Sequence, residues 1–343
     1  MRKKILFICG SINQTKQMHE ISLHMTDAEC FFTPYYCDGV LEAIRRQGML
    51  DFTILGAPLR GRTLSYLEYH GLPVDHEGQR GDYDLVVTCS DLIVPKNIRK
   101  KKIVLVQEGM TDPEDFLYHL VRTMKILPRW FASTSMTGLS HQYERFCVAS
   151  EGYRDLFIRK GVRPEKIVVT GIPNFDNCRR LLNNGFPLKH YVLVCTSDSR
   201  ETFRYENRRR FIRMAVAIAK GRQLIFKLHP NEQVGRAERE IACHAPGAIV
   251  FTDGNTDEMI ANCEVLITRY STTVYVGLAL GKECYSEFDM ERLHRLLPVQ
   301  SGTAAQDISK VCRSLLEEGA GGRRSQPLVR RRFFESLLHR RAA

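Results

Sequence analysis

Three strand-to-helix turns in the second half of this 343-residue chain carry residue types suited to phosphate. The first is Arg269-Tyr270-Ser271-Thr272-Thr273, between an apolar strand and an apolar helix that ends at Gly281. Hydroxyls and free backbone N–H groups at the positive end of a helix dipole suit a diphosphate. The same residues also make an ordinary N-cap. The second turn is Lys227-Leu228-His229-Pro230-Asn231. A histidine between a strand end and a proline is fixed in direction, which suits a general acid or a donor to a phosphate oxygen, or a plain cap. The third, Thr196 to Glu201, carries Arg200, either aimed at a phosphate or solvated. Together the three turns describe a nucleotide-diphosphate site better than any one does.

The first half offers carboxylates at equivalent places. A strand leads into Gly10-Ser11, a second ends at Ser90-Asp91, and a third ends at Gln107-Glu108-Gly109. Glu108 and Asp91 are general-base candidates, with Glu108 favoured; each also reads as a turn or N-cap carboxylate. Asp112-Pro113-Glu114 reads as a helix start. Eleven cysteines are scattered singly with no Cys-x-x-Cys pair, which argues against a zinc or disulfide scaffold and for a reducing, cytoplasmic setting. No metal and no cofactor is expected.

Short apolar runs alternating with helical stretches must position these turns. Strands are expected at 4–9, 30–35, 52–55, 85–88, 103–106, 146–149 and 167–169, then at 191–195, 223–227, 248–251, 265–268 and 283–286. Continuous Val/Ile/Leu runs separated by helices mean parallel strands buried on both faces. The expected fold class is α/β: two doubly wound Rossmann-like domains facing a central cleft, with ligands at the carboxyl ends of the strands. The pattern restarts near Tyr191, after a helix at 176–182. We therefore expect domains at 1–186 (acceptor side) and 187–320 (nucleotide-donor side), followed by a basic amphipathic tail at 321–343.

The net charge of +11 concentrates in that tail, whose stretch from Arg323 to Arg341 carries seven arginines against one glutamate, interleaved with apolar residues. It reads as a solvated helix or as one that docks on an anionic membrane surface, on its inner face. No RNA-binding signature accompanies the charge, so no nucleic-acid partner is expected. No apolar run approaches the ~20 residues needed to cross a bilayer.

On these residues the chain resembles the GT-B superfamily of nucleotide-sugar enzymes over about Lys4 to Leu296. The stretch from Val148 to Gly161-Val162, then Val168 to Asp176, is similar to that superfamily's approach to its interdomain hinge. Gly10-Ser11, Asp91, Arg200-Glu201 and His229 with Asn231 resemble loops of non-hydrolysing UDP-N-acetylglucosamine 2-epimerases. That family's loop arginine is Ile12 here, and its paired glutamates, one of which holds the ribose diol, are Tyr275 and Val276. Tyr270-Ser271-Thr272 with Lys282 and Phe288-Asp289 looks like the phosphate loop of CDP-glycerol glycerophosphotransferases. Gln107-Glu108-Gly109-Met110 looks like the Gln-His-Gly motif of capsule-type transferases, with glutamate in the histidine's place.

The resemblance implies a metal-independent glycosyltransferase that moves a sugar from a nucleotide-diphospho-sugar to a saccharide or lipid-type acceptor of the cell envelope. In that reading Ser271, Thr272 and Thr273 bind the diphosphate, with charge from Arg200, Lys227 and Arg269. Asn231 joins them at the diphosphate, His229 stabilises the leaving phosphate, and the first half presents the acceptor to Glu108, with Gly10, Ser11 and Gln107 on its side of the cleft. A 2-epimerase, a glycerophosphotransferase and a non-catalytic nucleotide-sugar sensor are the alternatives.

Overall fold

The computed structural model describes residues 2–51, 53–124, 127–197, 199–201 and 205–318. The stretch from Arg323 to Arg341, with its expected membrane docking, lies outside the described residues.

The first sheet is built from β1 (Lys3–Cys9), β2 (Ala28–Pro34), β3 (Leu85–Thr88), β4 (Lys102–Val106), β5 (Arg145–Val148) and β6 (Ile167–Val169). All its pairings are parallel, in the order β2-β1-β3-β4-β5-β6. Around it lie α1 (Ile12–Leu23), α2 (Val40–Arg46), α3 (Ala57–Tyr69), α4 (Phe116–Met124) and α5 (Glu151–Lys160). Ile5, Leu6, Phe7, Val86, Val87, Val104 and Leu105 have no exposed surface, as strands covered on both faces require.

The second sheet contains β7 (Val192–Cys195), β8 (Leu224–Lys227), β9 (Ile249–Phe251), β10 (Val265–Thr268) and β11 (Glu283–Tyr285), also parallel, in the order β11-β10-β7-β8-β9. Its helices are α6 (Arg208–Ala219), α7 (Val234–His244), α8 (Thr256–Asn262) and α9 (Val274–Ala279). In each sheet the strand order reverses once, between β1 and β3 and between β7 and β10. A crevice at the carboxyl ends of the strands opens at such a switch point. The loops after β1, β3, β7 and β10 are thereby gathered toward the gap between the sheets.

Several expectations are corrected. Residues 53–55 form turns rather than a strand, because the Thr53 hydroxyl donates to Leu50 O (2.7 Å) and accepts from Leu55 N (3.2 Å). Such local bonds compete with a sheet ladder. The helix expected at 176–182 is a short 3-10 turn, Cys178–Leu182. The helix expected at Asp112 begins instead at Phe116, where Asp115 accepts from Tyr118 N (3.0 Å).

The chain also crosses back. After α10 (Met290–Leu296), Val299 N donates to Ala149 O (2.9 Å), and Asp176 accepts from Gly302 N (2.7 Å) and Ala304 N (2.8 Å). Then α11 (Ala304–Glu317) lays Ile308, Cys312 and Leu315 into the core of the first sheet beside Ile5, Phe7 and Val104. The final helix of the 187–320 segment is thus packed on the first sheet. Each such buried side chain contributes about 1.5–3 kcal/mol, and Ile308→Ala would cost about 2–5 kcal/mol. Tyr153 and Tyr275, both fully buried, bond hydroxyl to hydroxyl at 2.9 Å and tie α5 to α9. All eleven cysteines are free, and no described helix is long and apolar enough to cross a membrane.

Candidate functional site

Between the sheets lies a cleft of about 1660 Å³, lined from both sides. Its centre on the first side is Glu108. Gly10 follows β1 and Ser11 caps α1, accepting from Gln14 N (3.2 Å). The Ser11 hydroxyl also donates to Glu108 Oε1 (2.7 Å), and the Gln14 amide, one helical turn on, donates to Oε2 (2.6 Å). Both carboxylate oxygens are therefore oriented by α1. A Cβ on Gly10 would stand 2.1 Å from Gln14 Oε1, so only glycine leaves room for this amide. Gln107, buried beneath, accepts from Ala149 N (2.9 Å) and donates to Gly109 O (2.7 Å), fixing the turn; Asn174 donates to Glu108 O (3.2 Å). This assembly of Gly10, Ser11, Gln107 and Glu108 is a rigid mount for a cleft carboxylate.

The second side presents Thr272 and Thr273. Ser271 Oγ and Thr273 Oγ1 lie 2.9 Å apart and Thr273 N donates to Ser271 Oγ (3.3 Å), a compact turn before α9. The Thr272 methyl sits 3.7 Å from where a Gly109 Cβ would be, so the hydroxyl turn and the Glu108 turn face each other across the cleft. Sequence reasoning missed the loop after β9: Asn255, Thr256 and Asp257 line the same cleft, joined by Lys16 of α1 and Arg180 of the hinge. Burial raises the Asp257 carboxyl against the pull of Lys16 and Arg180; burial likewise raises Glu20, another lining residue. The rule that pointed to the other strand ends applies equally to β9. Gln14, three residues past a capping serine, was available from helical spacing.

The remaining sequence candidates sit elsewhere. Asp91 is 2% exposed and its two oxygens accept from Gly138 N (2.9 Å) and Ser140 N (3.0 Å). It pins a loop and does not line the cleft. Lys227 is buried, donates to Leu228 O (3.1 Å) and Thr252 O (2.8 Å), and has its pKa lowered by burial, so its charge is turned inward. Arg200 grips Glu240 with two bonds (2.8 and 2.9 Å). Arg269 grips Glu287 likewise (2.7 and 3.0 Å) and lies 3.3 Å from Glu206. Buried Arg208 meets Glu206 (2.5 Å) and Glu232. Arg200, Arg208 and Arg269 are thus each paired with the chain's own glutamates, contacts that sequence position alone does not reveal. His229 is half-buried, its N–H donating to Thr196 Oγ1 (3.0 Å) and its Nδ1 accepting from Asn231 N (3.3 Å). Its neighbour Pro230, rather than the ring, lines the cleft. Among the described residues no group of three His, Cys, Asp or Glu side chains has the arrangement of a metal site.

No family model matches the sequence, and no curated protein matches it. Solved structures do match in fold. One is a UDP-N-acetylglucosamine 2-epimerase, with TM-score 0.53 and 13% identity, covering 96% of this chain and 100% of that one. The wall teichoic acid polymerase TagF gives 0.52 at 10% identity, covering 93% and 90%. A UDP-GlcNAc 2-epimerase from Neisseria meningitidis, solved bound to UDP-GlcNAc, gives 0.52 at 12%, covering 91% and 100%. The chain therefore has a GT-B-like α/β fold, shared with enzymes of that superfamily.

Proposed function

We propose that the protein is a transferase that takes a sugar from a nucleotide-diphospho-sugar and passes it to a hydroxyl acceptor. The observation that carries this reading is the pairing across one cleft: a carboxylate oriented by Ser11 and Gln14 opposite the hydroxyl turn of Thr272 and Thr273. The diphosphate would lie at the hydroxyl turn, bound by hydroxyl and N–H groups, with Lys16 and Arg180 as the lining cations. Glu108 would take the proton of the acceptor hydroxyl as its oxygen bonds to the sugar's anomeric carbon. The bond from that carbon to the diphosphate oxygen breaks, and the electron pair leaves with the nucleoside diphosphate. Catalysis of this kind rests on positioning and on stabilising charge as it develops.

Two positions favour transfer over epimerisation. Where the resemblance to epimerases puts paired glutamates, Tyr275 is bonded to Tyr153 and Val276 is packed in the second core, both buried. Neither offers a carboxylate to a ribose. Product analysis with a panel of nucleotide-sugars tests the assignment: transfer consumes donor when acceptor hydroxyls are supplied, whereas an epimerase changes the sugar with no acceptor present. Epimerised sugar in the acceptor-free reaction overturns it.

A further inference from the structure

The two walls of the cleft differ in polarity. The second wall is polar: Asn255, Thr256, Asp257, Thr272 and Thr273. The large apolar side chains of the lining come from the first wall, set among polar ones such as Asp112, Thr134 and Thr137. Met110 follows Glu108 in the same turn, Ile54 and Leu59 come from the α2–α3 region, and the Trp130 and Phe131 rings stack with centroids 4.3 Å apart and planes inclined by 21°.

 Phe131 is 49% exposed, so its ring meets solvent where it lines the cleft. Small-ligand pockets hold about 300–1,000 Å³, so a cleft of about 1660 Å³ exceeds what a nucleotide-sugar alone would fill.

We infer that the acceptor is an amphiphile, with its reacting hydroxyl at Glu108 and a hydrocarbon chain along Ile54, Leu59, Met110, Trp130 and Phe131. This rests on the transferase reading and narrows its acceptor. A hydrocarbon chain laid along these side chains removes them all from water, whereas a sugar ring covers only the one face on which it stacks. The polar wall opposite offers a chain nothing, so the two substrates are sorted by wall.

Trp130 is the chain's single tryptophan, so its emission reports on this wall without any turnover. The probes are n-octyl β-glucoside, kept below its micelle concentration, and methyl β-glucoside, which shares the head and lacks the chain. Octyl glucoside should give a saturable blue shift that methyl glucoside does not. Phe131→Ser and, separately, Leu59→Gln should each weaken it by roughly tenfold, the scale of one well-placed apolar anchor; circular dichroism and melting confirm that each variant is folded. No saturable shift, an equal shift with methyl glucoside, or a shift indifferent to both variants overturns the inference. Nucleotide-sugar binding is measured by calorimetry on the same samples. A chain response without nucleotide-sugar binding sinks the transferase reading and keeps the apolar site. Nucleotide-sugar binding without a chain response does the reverse.

Discussion

The two walls of the cleft are built by one topological rule and end in different chemistry. Both are loops at the carboxyl ends of parallel strands, beside a switch in strand order. On the first wall a carboxylate is held outward by Ser11 and Gln14 among apolar side chains. On the second, hydroxyls and an amide face the cleft while Arg200, Arg208 and Arg269 turn to the chain's own glutamates. A count of basic residues near strand ends therefore overstates the positive charge a ligand would meet. What matters is which charges are already paired.

The largest expected effect lies on the first wall. Glu108→Gln should slow transfer by about 10²–10⁴-fold, the usual share of a general base, with donor affinity unchanged in calorimetry. Full activity would move the base elsewhere and break the division of labour between the walls. Next comes the mount. Gln14→Leu removes a hydrogen bond to a charged group, worth about 1.5–3 kcal/mol, and should slow transfer by roughly 10–100-fold. Gly10→Ala should do the same by displacing the Gln14 amide, and the double variant should be no worse than either single one. Additive losses would show that Gly10 acts by another route.

The sequence revealed the strands because both-face burial leaves continuous apolar runs, as in Leu85–Thr88 and Val265–Thr268. It misled at 53–55, where a threonine hydroxyl captured the backbone. An amphipathic helix such as α11 announces a buried face but not which core receives it, so its return to the first sheet was not legible. The site was half legible. Glu108, Ser11 and Thr272 followed from strand-end position, whereas the pairing of Arg200 with Glu240, forty residues on, depends on how α7 packs. Asp91 shows the converse: a strand-end carboxylate whose place looks catalytic and whose partners are backbone amides.

Two smaller tests sharpen the contrast. Arg200→Gln should lower the unfolding free energy by about 1 kcal/mol or more through loss of its glutamate partners, seen as a lower melting temperature, and leave nucleotide-sugar affinity within about twofold, since a shift of about 0.4 kcal/mol is a factor of two. A large loss of affinity with stability intact would return this arginine to the ligand. The smallest effect concerns α2, which carries Leu41 of the apolar wall. Arg45, then Arg46, hold the Glu42 carboxyl down to about 2, against desolvation. Because the folded value lies below the ordinary 4.5, this pair stabilises the fold above that pH and loses its contribution as pH falls toward about 2. Glu42→Gln should therefore cost about 1 kcal/mol near neutral pH, measured by urea unfolding, with the difference from wild type shrinking as the pH is lowered below 4.5.

The most direct test of the account is calorimetric titration of nucleotide-diphospho-sugars into the wild-type protein and into a Ser271→Ala/Thr272→Val double variant. The wild type should bind one donor saturably, and the variant should bind it more weakly by about 1–3 kcal/mol, the range for hydrogen bonds to a charged group, with the melting temperature of the unliganded protein preserved. Absence of binding across the panel, or equal affinity in the two proteins, would contradict the account.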